Sequence, residues 1–168
     1  VQERLTAPLG MRDTMFNQPA SLRSRSAPTE MCTPYGWPCA GPDQVMLRGI
    51  VHDPTARRMG GVAGHAGLFS TALGATRVLS PLSVLKMTSP ATPSGVAGVR
   101  GLGWDLDSSY SSNRGDLFPV GSFGHTGFTG TSVWMDPVTK TYVILLTNRV
   151  HPDGKGDAGP IRARVATI

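Results

Sequence analysis

The sequence is poor in charged residues, aromatics and cysteine. Charged residues make up 16% of the 168 residues and aromatics 7%, whereas an ordinary globular domain has roughly 25% charged residues. No apolar run approaches the roughly 20 residues of a membrane span, and the first residues do not form a signal-peptide pattern. Gly and Pro are frequent, at 21 and 14 residues, yet stay below the roughly 25–30% typical of disorder. We expect neither a membrane protein, a coiled coil nor a disordered tail, but a single domain over residues 1–168.

The charge balance is basic, with a formal net charge of +5 and a pI near 9.8. The arginines are scattered along the chain, and no cluster of aromatics accompanies them. This pattern does not favour nucleic-acid binding, which usually needs a basic stripe or an aromatic platform. It favours an anionic small-molecule substrate, which a basic surface attracts.

Two cysteines, Cys32 and Cys39, lie in a Pro- and Gly-rich stretch. Their spacing is compatible with a small-loop disulfide, with two free thiols or with half of a metal site. Spacing alone leaves the three alternatives open.

The chain carries signals for one short helix followed by β-structure. Ser80 is a good N-cap and Pro81 suits the first helical position, so a helix begins there and ends before Pro90. Residues 131–135 and 141–148 are apolar and β-branched, and a turn at residues 136–140 separates them. They predict an antiparallel hairpin within an α+β fold, an antiparallel sheet of three to five strands with a few short helices.

Two histidines are flanked by glycines on both sides, namely His65 in Gly-His-Ala-Gly and His125 in Gly-His-Thr-Gly. Glycine neighbours leave an imidazole open to a ligand. His52, which precedes Asp53, is a third candidate, whereas His151 is more simply explained as a surface residue.

Residues 121–132, Gly-Ser-Phe-Gly-His-Thr-Gly-Phe-Thr-Gly-Thr-Ser, and the segments 134–137 and 144–149 resemble the C-terminal region of the serine β-lactamase-related hydrolases. That family holds class C β-lactamases, penicillin-binding proteins and esterases. Further segments resemble its esterase-like branch, so that the likeness extends in order over about three quarters of the chain: 8–15, 52–56, 60–70, 79–81, 87–90 and 114–119.

The resemblance implies a truncated β-lactamase-like fold and a site around β-strand residues 125–127. His125, Thr126 and Gly127 stand for the family's Lys-Thr-Gly box, with Thr126 and Gly127 touching substrate, and the backbone N–H of Phe128 takes the position of an oxyanion donor. We expect Arg149, at the end of the last strand, to meet an anionic group of the substrate. The family also suggests a periplasmic or secreted origin.

The family's Ser-x-x-Lys and Tyr-x-Asn motifs are expected upstream of these residues and are not found here, and the connection between residues 71 and 78 is shorter than usual. The main hypothesis is therefore a hydrolase of activated esters or phosphoesters that uses a zinc-bound water. His52, His65 and His125 are its proposed metal ligands, because three imidazoles and an open position activate water. Asp53 is expected to orient a ligand or to act as a fourth one, and Asp105 or Asp116 to support the ligands.

Two alternatives stay open beside the metal site. Ser83-x-x-Lys86 fits a serine nucleophile with its lysine, and Ser111-Ser112-Asn113 follows it in the order of a serine acyl-enzyme site. Alternatively, the chain is a non-catalytic fragment of a serine β-lactamase or esterase-like protein. All three hypotheses predict a homodimer or higher oligomer, because a partial fold leaves an apolar sheet face uncovered.

Overall fold

The computed structural model describes residues 1–33, 39, 42–72 and 80–167, which fall into two compact units. Residues 1–77 and 148–156 form the first unit, and residues 78–147 and 157–168 form the second. In the part of the chain that is described, no helix has the length and apolar character needed to cross a membrane.

The first unit is built from short elements around a small apolar cluster of Val51, Ala56 and Ala63. The elements are a π-helical turn at Gln2–Thr6, β1 (Met15–Phe16), a 3₁₀ turn at Ala20–Arg25, β2 (Pro28–Met31), β3 (Met46–Arg48), α1 (Pro54–Arg58) and β4 (Leu68–Phe69). The strands form two small antiparallel sheets, in which β1 pairs with β4 and β2 pairs with β3.

A disulfide joins Cys32 to Cys39 just after β2, with the two Cα atoms 4.6 Å apart. Cys32 is fully buried. The structure therefore resolves the three alternatives for the cysteines in favour of a small-loop disulfide. The residues between positions 33 and 39, and the shortened connection at residues 73–79, lie outside the described part of the chain.

The second unit is built on a five-stranded antiparallel sheet in which the strands lie side by side in chain order. This confirms the prediction of an α+β fold with an antiparallel sheet and few short helices. The elements are α2 (Pro81–Thr88), β5 (Val99–Arg100), β6 (Asp105–Asp107), a 3₁₀ turn at Ser111–Arg114, β7 (Phe123–Thr126), β8 (Thr131–Asp136), β9 (Thr141–Leu146) and α3 (Gly159–Ala166).

Helix α2 begins where the sequence predicts. The Ser80 hydroxyl accepts a hydrogen bond from the Ser83 N–H at 3.3 Å, which satisfies one of the free donors of the first turn. Pro81 occupies the first turn, where no intrahelical N–H is needed. The helix ends at Thr88, ahead of Pro90.

The predicted hairpin is β8 and β9, and Asp136 shapes its turn. The Asp136 carboxylate accepts hydrogen bonds from the Val138 N–H at 2.9 Å and from the Thr139 hydroxyl at 2.5 Å. Those bonds, the Thr139 hydroxyl first, hold the pKa of Asp136 below its usual value. Lys140 completes the turn with a φ of 58°.

One face of the sheet carries the apolar core of the second unit. Trp134 on β8 is 1% exposed and packs with Phe118 and with Ala166 of α3, while Val143 of β9 packs against the same cluster. Since side chains alternate along a strand, the residues next to Trp134 and Val143 in sequence project from the opposite face.

Candidate active site

Strand β7 places His125 on the sheet face opposite the Trp134 core. Gly124 lies directly across from Trp134, and His125 lies across from Val133, so the two residues project from opposite faces. His125 is exposed and Thr126 half-buried. The Gly-His-Thr-Gly box, residues 124–127, therefore leaves the His125 imidazole exposed. Strand β7, which carries it, has a neighbouring strand on each side.

Glycines on either side of His125 allow close packing at both ends of the box. A methyl group added at Gly124 would lie 2.4 Å from Cε3 of Trp134, and one added at Gly127 would lie 2.4 Å from the Thr131 hydroxyl oxygen. No side chain fits at either position without displacing these neighbours. Packing therefore requires both glycines of the Gly-His-Thr-Gly pattern, and the same glycines leave the His125 ring exposed.

Arg162 of α3 holds the end of the box in place. Its Nη2 donates to the Gly127 carbonyl at 2.7 Å and to the Thr131 carbonyl at 3.0 Å, and the residue is only 9% exposed. Gly127 also donates its own N–H to the Thr131 carbonyl at 2.7 Å. A buried guanidinium thus fixes the β7–β8 turn, a role that the sequence analysis did not assign to Arg162. The sequence signal that could have indicated helix α3, and with it Arg162, was Pro160, which occupies the first turn of the helix.

The His125 ring has a defined tautomer. Its Nδ1 lies 2.8 Å from the Thr126 carbonyl oxygen, which can only accept, so Nδ1 carries the proton. In the neutral ring, Nε2 then holds the lone pair. His125 can accept a hydrogen bond or a proton at Nε2, and it can donate there when it is protonated.

The other predicted substrate contacts are divided between the two units. Phe128 follows β7 in the turn and is 62% exposed. Arg149 belongs to the first unit, where its Nη1 donates to the Gly156 carbonyl at 2.8 Å.

His52 is a buried partner of Glu30. Its Nε2 lies 2.7 Å from Glu30 Oε2, with side-chain exposures of 5% and 13%. Glu30 is 22 residues away on β2, and its carboxylate lies beside Gly154, where a methyl group would approach it to 2.8 Å. The sequence analysis missed Glu30, because no local spacing connects it to His52.

Asp53 is an N-cap and also holds His65. Its Oδ1 accepts from the Ala56 N–H at 2.6 Å, which begins α1, and lies 3.1 Å from Nε2 of His65. The bond from Ala56 is the largest cause of a lowered Asp53 pKa, and His65 adds to it. Asp53 thus contacts His65 within the first unit, while its predicted role beside a metal ligand stays a prediction.

The structure gives no support to the predicted zinc site. Nε2 of His52 and Nε2 of His65 each have a carboxylate partner within the first unit. Among the described residues, no group of three or more His, Cys, Asp or Glu side chains is arranged to hold a metal ion.

The two carboxylates expected to support the metal ligands have other surroundings. Asp105 is 2% exposed and accepts from the hydroxyls of Ser108 at 2.8 Å and Ser111 at 3.0 Å, with Arg100 at 3.9 Å. Asp116 is exposed. Asp105 therefore organises the segment after β6, and Ser111 is bound to it rather than open to a substrate.

Ser83 and Lys86 lie on an exposed stretch of α2. The Ser83 hydroxyl accepts from the Ser80 hydroxyl at 2.9 Å. The end of α2 is fastened near β5 by the Leu102 N–H, which donates to the Met87 carbonyl at 2.8 Å. The helix is thus attached at the outer strand β5, and β6 separates that strand from β7.

Solved structures of two hydrolases share this fold. A β-lactamase from Mycobacterium bovis superposes with a TM-score of 0.56 and 17% identity, over 98% of this chain and 52% of that one. EstCE1, described as a hydrolase with promiscuous acyltransferase activity, gives a TM-score of 0.60 and 17% identity, over 98% of this chain and 49% of that one.

Curated relatives are more similar in sequence but much longer. Proteins named "Putative D-alanyl-D-alanine carboxypeptidase" from Salmonella gallinarum and Escherichia coli O157:H7 are each 34% identical to this chain. The alignments cover 62% and 61% of this chain, but only 28% and 27% of the relatives, so the chain corresponds to a minor part of their length. The family model described as Beta-lactamase matches residues 1–167. With that match and the resemblance around His125, the chain belongs to the Beta-lactamase family.

Proposed function

We propose that this chain forms the sheet side of a serine-type acyl-hydrolase site, with His125, Thr126 and Gly127 facing the substrate. The observation that carries the proposal is the exposed His125 on β7, which lies between Gly124, packed against Trp134, and Gly127, whose carbonyl is bonded by Arg162. This position corresponds to the Lys-Thr-Gly box of the family. The substrate class is an ester or an amide of the D-alanyl-D-alanine type, in keeping with the names of the relatives.

In a serine-type site, a serine hydroxyl attacks the acyl carbon and expels an alcohol or amine, which leaves an ester on the serine. Water then hydrolyses that ester, releases the acid and restores the serine. In the proposed site, Nε2 is the ring nitrogen that His125 offers to the substrate, because Nδ1 is bonded to the Thr126 carbonyl.

We further propose that the nucleophile is not Ser83. Ser83 lies on a helix attached at the outer strand β5, and its hydroxyl is paired with that of Ser80. The aligned part of the chain covers only 28% of the Salmonella gallinarum relative, and the proposal places the serine nucleophile and its lysine outside residues 1–168. The metal-activated phosphoester hypothesis has no supporting observation among the described residues.

A chimera tests this function. The chain replaces the matching segment of the Salmonella gallinarum relative, and labelling by a fluorescent penicillin and by a fluorophosphonate is measured. We expect the chimera to be labelled, the Ser83→Ala chimera to be labelled at the same rate, and His125→Ala to slow labelling by about 10²-fold. Val138→Ala, in the exposed β8–β9 turn, is the matched control for His125→Ala.

The isolated chain is measured in parallel and is expected to take up no label. A label mapped to Ser83 by mass spectrometry would contradict the proposal and favour the in-chain serine. A chimera that unfolds cooperatively but takes up neither probe would also overturn it. If a chelator abolished the hydrolase activity of the chimera, the metal-activated hypothesis would be favoured instead.

A further inference from the structure

The disulfide between Cys32 and Cys39 lies directly after strand β2, and its two sulfurs have different surroundings. Cys32 is fully buried, whereas Cys39 is half-buried. A reducing thiolate attacks one sulfur of a disulfide and expels the other, and access decides which sulfur is attacked. Cys39 Sγ is therefore the sulfur open to attack, and Cys32 Sγ is the leaving group.

The backbone near Cys32 suits a sulfur that leaves as a thiolate. The Val45 N–H donates to Cys32 Sγ at 3.4 Å, and such a bond becomes stronger when its acceptor is charged. The Asp43 carbonyl oxygen lies 3.7 Å from Cys32 Sγ and 3.3 Å from Cys39 Sγ. In the disulfide neither sulfur has a proton to donate, but each thiol of the reduced pair has one. Polar partners for the reduced pair are thus already in place.

Strand β2 is short and irregularly paired. It has four residues, all half-buried, and its register with β3 shifts between Pro28 and Met31. Next to the disulfide, the Met31 N–H donates to the Pro152 carbonyl at 2.8 Å, and the Cys32 N–H donates to the Val45 carbonyl at 2.9 Å. Segments with few buried contacts open locally while the rest of a protein stays folded. These two hydrogen bonds are therefore the ones that loss of the disulfide loosens first.

We propose that the Cys32–Cys39 disulfide is a redox-sensitive device that fixes or releases the end of β2. One sulfur of a dithiol reductant attacks Cys39 Sγ, the Cys32–Cys39 bond breaks, and Cys32 leaves as a thiolate that takes up a proton. The second sulfur of the reductant then attacks the first and expels Cys39 as a thiol. The protein gains two electrons and two protons, and the reductant becomes a disulfide. Once the bond is open, the hydrogen bonds of Met31 and Cys32 open more often.

The release is limited to the end of β2, because other contacts anchor the rest of the strand. The Glu30 carboxylate lies 2.7 Å from Nε2 of the buried His52. The Asn148 side chain donates to the Pro28 carbonyl. Neither contact involves a sulfur or a residue beyond Glu30. The device goes beyond the proposed hydrolase function and does not depend on it.

Single variants test which sulfur is attacked. Cys32→Ser leaves only Cys39, Cys39→Ser leaves only Cys32, and thermal unfolding verifies that both variants fold. Each is incubated with oxidised glutathione, and the rate of mixed-disulfide formation is measured by mass spectrometry. We expect Cys39 to react at least about tenfold faster than Cys32, because Cys32 is buried. Equal rates, or a faster reaction at Cys32, would overturn the proposed attack at Cys39.

Amide hydrogen exchange followed by NMR tests the release in the wild-type chain. We expect reduction by dithiothreitol to speed exchange at the Met31 and Cys32 N–H groups at least about tenfold, and reoxidation to restore the original rates. The Gly127 N–H, bonded to the Thr131 carbonyl at 2.7 Å in the second unit, is the internal control and should not change. In Cys32→Ala/Cys39→Ala, exchange at positions 31 and 32 should be fast with or without dithiothreitol.

Three results would contradict the device. Unchanged exchange at Met31 and Cys32 after complete reduction would show that the disulfide does not hold the end of β2. An equal rise in exchange at Gly127 would show that reduction unfolds the whole chain, so that the disulfide is a structural cross-link. A disulfide that dithiothreitol does not reduce in the folded protein would overturn the proposal as well.

Discussion

Replacing Arg162 by alanine tests whether α3 holds the histidine-bearing hairpin in place. The substitution removes the Nη2 donor shared by the Gly127 and Thr131 carbonyls, at 2.7 and 3.0 Å. Both carbonyls lie at the β7–β8 turn directly after His125 and Thr126. We expect a lower free energy of unfolding and a less firmly held segment at residues 124–127.

The magnitude follows from the burial of the guanidinium. A hydrogen bond from a charged donor contributes about 1.5–3 kcal/mol, and two are lost. Water enters part of the space and replaces some of the bonding, so we expect a loss of about 3 kcal/mol in the free energy of unfolding. For a chain of this size, that lowers Tm by about 10 °C. Arg162→Lys retains a charged donor and should recover part of the loss.

Thermal unfolding followed by circular dichroism measures the effect. Arg164→Ala is the matched control, because Arg164 is an exposed arginine two residues further along the same helix. We expect the control to stay within about 2 °C of wild type, as surface substitutions usually do. Equal Tm values for Arg162→Ala and Arg164→Ala would refute the inference that Arg162 holds the β7–β8 turn in place.

Two further predictions concern packing and pH. Gly124→Ala should lower the free energy of unfolding, measured in urea, by about 1–3 kcal/mol, because the new methyl group meets Trp134. Gly64→Ala, with open space at its Cβ, is the control and should be near neutral. Similar losses in the two variants would contradict the packing argument. The lowered pKa of Asp136 means that its carboxylate stabilises the folded state above about pH 4 and loses this effect at lower pH. The Tm difference between wild type and Asp136→Asn should therefore shrink as the pH falls below about 4, and a constant difference would contradict this assignment.

Local signals predicted several elements of the second unit. The Ser80 cap with Pro81 predicted α2, and the two apolar runs around residues 136–140 predicted β8 and β9. Helix α3 was not predicted. It has only a weak apolar side, and its placement comes from contacts with the sheet that have no local signal. The structure forms two compact units. The prediction of one domain over residues 1–168 stays a prediction.

The candidate site was predictable where the information is contiguous. The Gly-His-Thr-Gly box lies within four residues, so its resemblance to the family motif directed the site prediction to the segment that forms β7. The three-histidine metal site depended on residues far apart in sequence. The carboxylate that pairs with His52, Glu30, comes from a separate strand, and spacing offered no means of anticipating it.

The sequence by itself determined helix α2, the β8–β9 hairpin with its turn, and the family that the His125 box resembles, because these depend on neighbouring residues. Only the tertiary structure decided that Arg162 clamps the box and that Glu30 pairs with His52. Each of these depends on backbone and side chains brought together from distant positions. Hydrogen bonding and burial select such partners only after the chain has folded.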